Sequence, residues 1–142
     1  MKAIISLLSV LGLIFLVGCQ LQEETMVLLD EKIAAVKVSK SNGFGEMNTD
    51  ILHSFTDDKS IKTFKKAITT AGKFMGDVEI ADPEYDVMVE YAGHLPTHGI
   101  HLWLGEENEK STFMYIGDNV IYFTSPQNTK ELRTLIYQES SG

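Results

Sequence analysis

The sequence predicts an α+β domain in which an antiparallel sheet of about five strands carries a main helix and a C-terminal helix on one face. One segment near residue 60 has apolar residues at helical spacing, whereas several segments after residue 85 alternate in the manner of strands. The connections between those strands are short and have no helical pattern. Because parallel neighbours need a long crossover, usually a helix, the short connections predict a meander-like antiparallel sheet.

Residues 1–18 are predicted to be a signal peptide. One cation, Lys2, precedes an apolar run over residues 3–17, and the small residue Gly18 stands directly before Cys19. Secretory signals have this arrangement, with an apolar core of roughly 7–15 residues. The run is shorter than the ~20 residues of a transmembrane helix, so a permanent membrane span is the weaker interpretation. An ordinary secretory signal and an apolar helix of a cytosolic protein are the remaining alternatives.

The tetrapeptide Leu16-Val17-Gly18-Cys19 resembles the lipobox of bacterial lipoproteins. The resemblance implies that diacylglycerol is attached to the Cys19 sulfur and that cleavage makes Cys19 the first residue. Two acyl chains, such as palmitate, hold a protein at a membrane stably because each buried methylene contributes about 0.8 kcal/mol. We therefore expect a protein anchored at the extracytoplasmic face of the cell membrane. Residues 19–31 would be the lipidated cysteine and tether, and residues 32–138 a single domain. Residues 26–29 either belong to the tether or pack against the domain, and the sequence leaves both open.

Composition limits the possible partners of the domain. The formal net charge is −8 at pH 7, and an acidic protein repels the phosphates of nucleic acid and anionic lipid headgroups. Cys19 is the only cysteine. Its lipidation would leave no thiol for a disulfide, so the apolar core must stabilise the domain alone. The sequence therefore predicts no nucleic-acid partner, and it contains no motif that calls for a cofactor.

Two short strands are predicted before the main helix. Residues 33–38 are rich in β-branched side chains and predict the first strand. A turn follows over residues 41–45, where Asn and Gly accept positive φ. Residues 51–55 predict a second strand, with a helical turn over residues 48–55 as the alternative.

The main helix is predicted over about residues 58–72. Asp57 and Asp58 can cap its free N–H groups, and Gly72 is the expected stop signal. The lysines of this segment lie off the apolar stripe and are interpreted as a solvated face, with a polyanion site as the alternative. The stripe itself is formed by Ile61, Phe64, Ala67, Ile68 and Ala71.

The second half of the chain predicts four strands and a C-terminal helix. The strands cover residues 86–91, 99–104, 112–116 and 120–124, and the last two form a hairpin around the turn at residues 117–119. Ser125 followed by Pro126 fits an N-cap and the first helical position. We therefore expect a helix over about residues 126–138.

Four segments resemble the YhfM-like family of small Gram-positive membrane lipoproteins. They are residues 40–45 (KSNGFG), 61–68 (IKTFKKAI), 82–86 (DPEYD) and 101–106 (HLWLGE). The resemblance spans most of the mature chain and implies an extracytoplasmic protein anchored in the membrane. It implies no catalytic residue.

Three histidines form the strongest candidate for a metal site. His94, His98 and His101 fall within eight positions, and Glu106, Glu107 and Glu109 follow. Imidazole binds zinc and copper well, but this spacing matches no strong zinc signature. His98 and His101 are three positions apart, so a strand would direct them to opposite faces. Exposed loop histidines are the competing interpretation.

Trp103 and the serines are the other functional candidates. Trp103 either packs into the core or joins Tyr91 or Tyr115 in a platform for sugar or peptide. Ser111 and Ser125 lie outside any Gly-x-Ser-x-Gly context, so we expect no enzyme, with a hydrolase as a third hypothesis. The leading hypothesis is a non-catalytic binding or accessory module for a protein or an envelope component. Metal binding through residues 94–101 is the alternative.

Overall fold

A computed structural model describes residues 24–140 of the chain and confirms the α+β class. Its antiparallel sheet has seven strands in the described part, where about five were predicted. The elements are β1 (Ile33–Lys40), β2 (Ile51–Phe55), α1 (Asp58–Thr69), β3 (Gly72–Lys73), β4 (Tyr85–Tyr91), β5 (His98–Trp103), β6 (Ser111–Tyr115), β7 (Tyr122–Thr124) and α2 (Pro126–Ser140).

The order of the strands across the sheet is β2-β1-β4-β5-β6-β7-β3, and every neighbouring pair is antiparallel. Strands β4 to β7 form the predicted meander. The two-residue strand β3 was not predicted, and it lies at the opposite edge from β2. Helix α1 connects β2 to β3 and so crosses from one edge of the sheet to the other. The sequence predicted no such crossover, because the connections between the later strands are short.

Helix α1 begins as predicted but ends earlier. The Asp57 carboxylate accepts a hydrogen bond from the Ser60 backbone nitrogen at 2.9 Å, and this bond lowers the pKa of Asp57. Thr70 caps the helix after Thr69, with its backbone N–H bonded to Ile68 and Lys66 carbonyls. The predicted end at Gly72 was therefore wrong. Gly72 instead starts β3, where it pairs with Phe123 of β7.

Both helices pack on one face of the sheet, as predicted. The Ser125 hydroxyl accepts from the Asn128 backbone nitrogen at 3.1 Å and caps α2, which continues to Ser140 rather than to residue 138. The predicted stripe of α1 is buried. It packs with inward side chains of β1, β4, β5 and β6 and with α2 in one core, formed mainly by Val36, Val38, Phe64, Ile68, Val87, Val89, Ile100, Leu102, Phe113, Leu132 and Ile136.

Two irregular segments cover parts of the opposite face. Residues 41–50 connect β1 to β2, and residues 74–84 return from β3 at the edge to β4 inside the sheet. The Trp103 indole nitrogen donates to the Ala81 carbonyl at 2.8 Å, which places the returning segment against the outer side of β5. We call residues 41–50 the covering loop and residues 74–84 the return segment.

Residues 24–29, here the N-terminal arm, pack on the domain, which is one of the two arrangements that the sequence left open for residues 26–29. The Glu24 carbonyl accepts from the Lys73 backbone nitrogen at 2.8 Å. The Tyr115 hydroxyl bonds to both the backbone nitrogen and the carbonyl of Val27, each at 2.7 Å. Met26 and Leu28 are buried in the core. The structure thus extends the folded domain to Glu24, where its described residues begin.

No helix within residues 24–140 is long and apolar enough to cross a membrane. The predicted signal peptide, with Leu16, Val17, Gly18 and the candidate lipidation residue Cys19, lies outside the described residues.

Candidate functional site

The face of the sheet opposite the helices carries a buried ionisable pair, Asp86 and His101. Antiparallel pairing of β4 with β5 sets these two residues directly opposite each other. Their neighbours Val87 and Ile100 point into the helix-side core, so the pair points away from it. The Asp86 Oδ1 and His101 Nδ1 atoms are 2.7 Å apart, and both side chains are 0% exposed.

The backbone of the covering loop donates hydrogen bonds to the remaining polar atoms of this pair. The Gly45 backbone nitrogen lies 3.3 Å from His101 Nε2, and the Asn48 backbone nitrogen donates to Asp86 Oδ2 at 2.8 Å. Since Gly45 donates to Nε2, the network assigns the imidazole proton to Nδ1, which donates to the carboxyl group. The Ser39 hydroxyl donates to the Asn48 carbonyl at 2.7 Å and fixes the same loop.

The chemistry available to His101 is limited by these contacts. A histidine oriented by a carboxylate is a common general base when its other nitrogen reaches a substrate or nucleophile. Here that nitrogen accepts a hydrogen bond from the Gly45 backbone N–H. The Phe44 ring contacts the imidazole edge-on, with 5.9 Å between the two ring centroids. The pair therefore holds the covering loop in place. Sequence reasoning did not pair Asp86 with His101, although an acid among apolar strand residues was a usable signal.

A cleft of about 640 Å³ lies on the same face, beside the Phe44 ring. The acids Asp77, Glu79 and Asp118 and one cation, Lys73, are also in its lining. Most of the remaining wall is apolar. It comes from the covering loop, the return segment, strand β6 and the β6–β7 connection, through Phe44, Phe74, Val78, Ile80, Met114, Val120 and Ile121. The cleft can take an apolar group, and its acidic side chains disfavour phosphate.

The three histidines of the predicted metal site have different surroundings. His94 is exposed in the loop after β4. His98 bonds through Nδ1 to the Tyr91 hydroxyl at 2.6 Å, on the helix side of the sheet, whereas His101 is buried on the other side. Within residues 24–140, no group of three His, Cys, Asp or Glu side chains is placed to hold a metal ion. The geometry gives the metal hypothesis no support.

Trp103 is half-buried on the outer face, where it contacts Phe44 at 5.9 Å and His101 at 6.3 Å between ring centroids. Tyr91 and Tyr115 contact His98 on the helix side. The structure therefore does not assemble the aromatic platform that joined Trp103 to either tyrosine.

The two candidate serines have structural contacts. The Ser111 hydroxyl lies 2.7 Å from the Thr129 hydroxyl, in a buried bond that ties β6 to α2. The Ser125 hydroxyl caps α2. The Ser111 hydroxyl also accepts from the Gly105 backbone nitrogen, whereas His101 bonds to Asp86 and Gly45. Within residues 24–140, neither of these two serines therefore forms a nucleophile–base pair with His101.

Comparison with known proteins agrees with the architecture. A protein-family model described as "YhfM protein" matches residues 23–141. The crystal structure of a thioesterase-like protein from Clostridium sporogenes ATCC 15579 is similar, with a TM-score of 0.56, 16% sequence identity, and coverage of 71% of this chain and 91% of that chain. At this identity the likeness shows a shared fold alone. No curated protein matches the chain.

Proposed function

This chain belongs to the YhfM protein family, and we propose that it is a lipoprotein held at the extracytoplasmic face of the cell membrane through Cys19. Its folded domain then acts as a non-catalytic binding or accessory module. The lipobox-like residues before Cys19 support the anchor. The position of Glu24 on the domain surface is compatible with it, because the chain enters the fold five residues after Cys19.

One observation carries the non-catalytic assignment. The buried Asp86–His101 pair is the arrangement most like a catalytic base, and both nitrogens of its imidazole are used inside the protein. A base that donates and accepts only within the fold orders a loop and does not take a proton from a substrate. The thioesterase-like relative supports a shared fold and carries no residue role to this chain.

The cleft on the outer face is the binding surface that we assign to this module. Its inner wall includes Met114, Val120 and Ile121, and its lining contains three acids against one lysine. An apolar part of a protein or envelope component fits this lining. Nucleic acid does not fit, since its phosphates would face Asp77, Glu79 and Asp118.

Metabolic labelling with an alkyne fatty acid tests the anchor. Cells that express the full chain should yield a labelled protein in the membrane fraction, and Cys19→Ala should abolish both the label and the membrane association. A wild-type protein that takes up no label would overturn the proposed anchor.

Assays with acyl-thioester and ester substrates test the non-catalytic assignment. We expect no turnover above background by the wild-type protein. Turnover that His101→Gln abolishes while the circular dichroism spectrum stays unchanged would show that His101 is catalytic and would overturn the assignment.

A further inference from the structure

We propose that the apolar edge of the domain, formed by Phe74, Met75 and Val78, contacts the outer leaflet of the membrane in which Cys19 is anchored. This inference rests on the proposed lipid anchor and adds an orientation to it. The domain would then have a fixed orientation, with the apolar edge facing the membrane, and would not rotate freely on its tether.

The apolar edge presents three large side chains to solvent. Phe74 is 38% exposed, Met75 82% and Val78 47%. They follow β3, which is the last strand at this edge of the sheet. Phe74 and Val78 also line the cleft on the outer face, so the cleft and the proposed membrane contact share one wall, and Met75 lies outside that lining. Phe74 packs edge-on against Phe123 of β7 at 5.4 Å between centroids, so the beginning of the segment is attached to the sheet. Exposed apolar side chains grouped in this way indicate an interaction surface.

The path of the chain places this edge next to the proposed anchor. The Lys73 backbone nitrogen donates to the Glu24 carbonyl at 2.8 Å, and the Lys73 ammonium lies 3.4 Å from the Glu24 carboxylate. Lys73 directly precedes Phe74. Because Glu24 is five positions after Cys19, a fully extended chain between them spans at most about 18 Å. The lipid therefore holds the apolar edge close to the headgroups.

The charges around the edge indicate what kind of membrane contact forms. Asp77 and Glu79 lie in the same segment, the Lys73 ammonium is paired with Glu24, and Lys110 lines a pocket with Phe74 and Met75. The edge thus has no cationic excess with which to attract anionic lipid. Burial of apolar side chains at the boundary between headgroups and acyl chains is the favourable interaction, as in interfacial helices. Zwitterionic phosphatidylcholine should be sufficient for the contact.

The opposite edge of the sheet provides a matched control. Leu52 of β2 is 49% exposed, similar to Phe74 and Val78, but β2 is separated from β3 by the whole width of the sheet. If the anchor orients the domain, Leu52 must remain in water while Met75 enters the lipid. If exposure alone governed membrane contact, both residues would behave alike.

The experiment uses the full chain, expressed and lipidated in cells and then reconstituted into phosphatidylcholine vesicles. Since Cys19 is the only native cysteine and carries the lipid, Met75→Cys and Leu52→Cys each supply one free thiol for the fluorophore NBD. We expect the Met75→Cys probe to shift its emission to the blue on reconstitution and to be quenched by nitroxide-labelled lipid. The Leu52→Cys probe should show neither change, and raised salt should leave both results unaltered.

Each other outcome overturns a specific part of the proposal. A protein that floats with the vesicles while its Met75→Cys probe stays in water overturns the contact but leaves the anchor intact. A probe that is shifted but not quenched by the lipid is covered by protein, either a second copy or a partner, and this also overturns the contact. A protein that does not float, with Cys19 unmodified by mass spectrometry, overturns the anchor and the contact together.

Discussion

The His101 Nε2 atom accepts a hydrogen bond from the Gly45 backbone nitrogen at 3.3 Å, across 56 positions of the chain. Gly45 has a φ of +91°, a conformation that side-chain-bearing residues rarely adopt. A glycine in the covering loop therefore allows the backbone to approach a buried imidazole that Asp86 orients from the other side. This relationship holds the covering loop over the outer face and removes His101 from solvent.

Asp86→Ala should destabilise the domain by about 3 kcal/mol, because it leaves the buried His101 Nδ1 and the half-buried Asn48 N–H without their acceptor. Urea unfolding, followed by circular dichroism, measures this change. The control Asp30→Ala removes an exposed acid and should alter the free energy of unfolding by no more than about 0.5 kcal/mol. Equal values for the two variants would contradict the role assigned to the pair.

Phe44→Ala should shift the fluorescence of Trp103 to the red, because it removes a ring that shields part of the indole from water. The centroids of the two rings are 5.9 Å apart. Trp103 is the only tryptophan, so the emission spectrum reports this contact directly. The loss of stability should be small, since Phe44 is 47% exposed. Leu52→Ala, at the β2 edge, is the control and should leave the spectrum unchanged. An unaltered spectrum in Phe44→Ala would mean that the covering loop does not shield Trp103 in solution.

Tyr115→Phe should release the N-terminal arm, because the Tyr115 hydroxyl bonds to both backbone polar groups of Val27. We expect faster amide hydrogen exchange at Val27 and a loss of about 1 kcal/mol of stability. Tyr137→Phe, which alters a tyrosine packed on Arg133 of α2, should leave exchange at Val27 unchanged. Native-like protection of Val27 in Tyr115→Phe would show that the arm is held by its other contacts.

Stability should fall as the pH rises from about 10 to about 12. Burial is the main cause that raises the pKa of Tyr85 to about 12, with Tyr137 adding to the effect. Burial also raises the pKa values of Tyr91 and Tyr115. In this range the unfolded chain loses tyrosine protons that the folded chain keeps, so ionisation favours unfolding. The stabilisation that these protonated tyrosines give the folded state is fully present below about pH 10 and is lost as the pH passes their raised pKa values.

Thermal unfolding at pH 9 and at pH 11 measures this loss, and absorbance at 295 nm follows the ionisation of the tyrosines. Tyr85→Phe should reduce the difference in melting temperature between the two pH values. An identical difference in wild type and Tyr85→Phe would contradict the raised pKa of Tyr85.

Local patterns in the sequence were sufficient for much of the fold. The spacing of Ile61, Phe64 and Ile68 indicated which side of α1 is buried, because helical periodicity is a property of neighbouring residues. Ser125 marked the start of α2 for the same reason. Alternation in β5 correctly separated His101 and Trp103 from the core side. By contrast, β3 has only two residues, which is too few for any pattern to be recognised.

The sequence by itself determined the class of the domain, the amphipathic helices, the acidic charge and the candidate anchor at Cys19. Only the tertiary structure decided that Asp86 faces His101, that the covering loop closes over them, and that residues 24–29 pack on the domain. The physical reason is that burial and pairing across distant strands depend on register. Register is set by the whole core packing at once, and no short stretch of the chain carries that information.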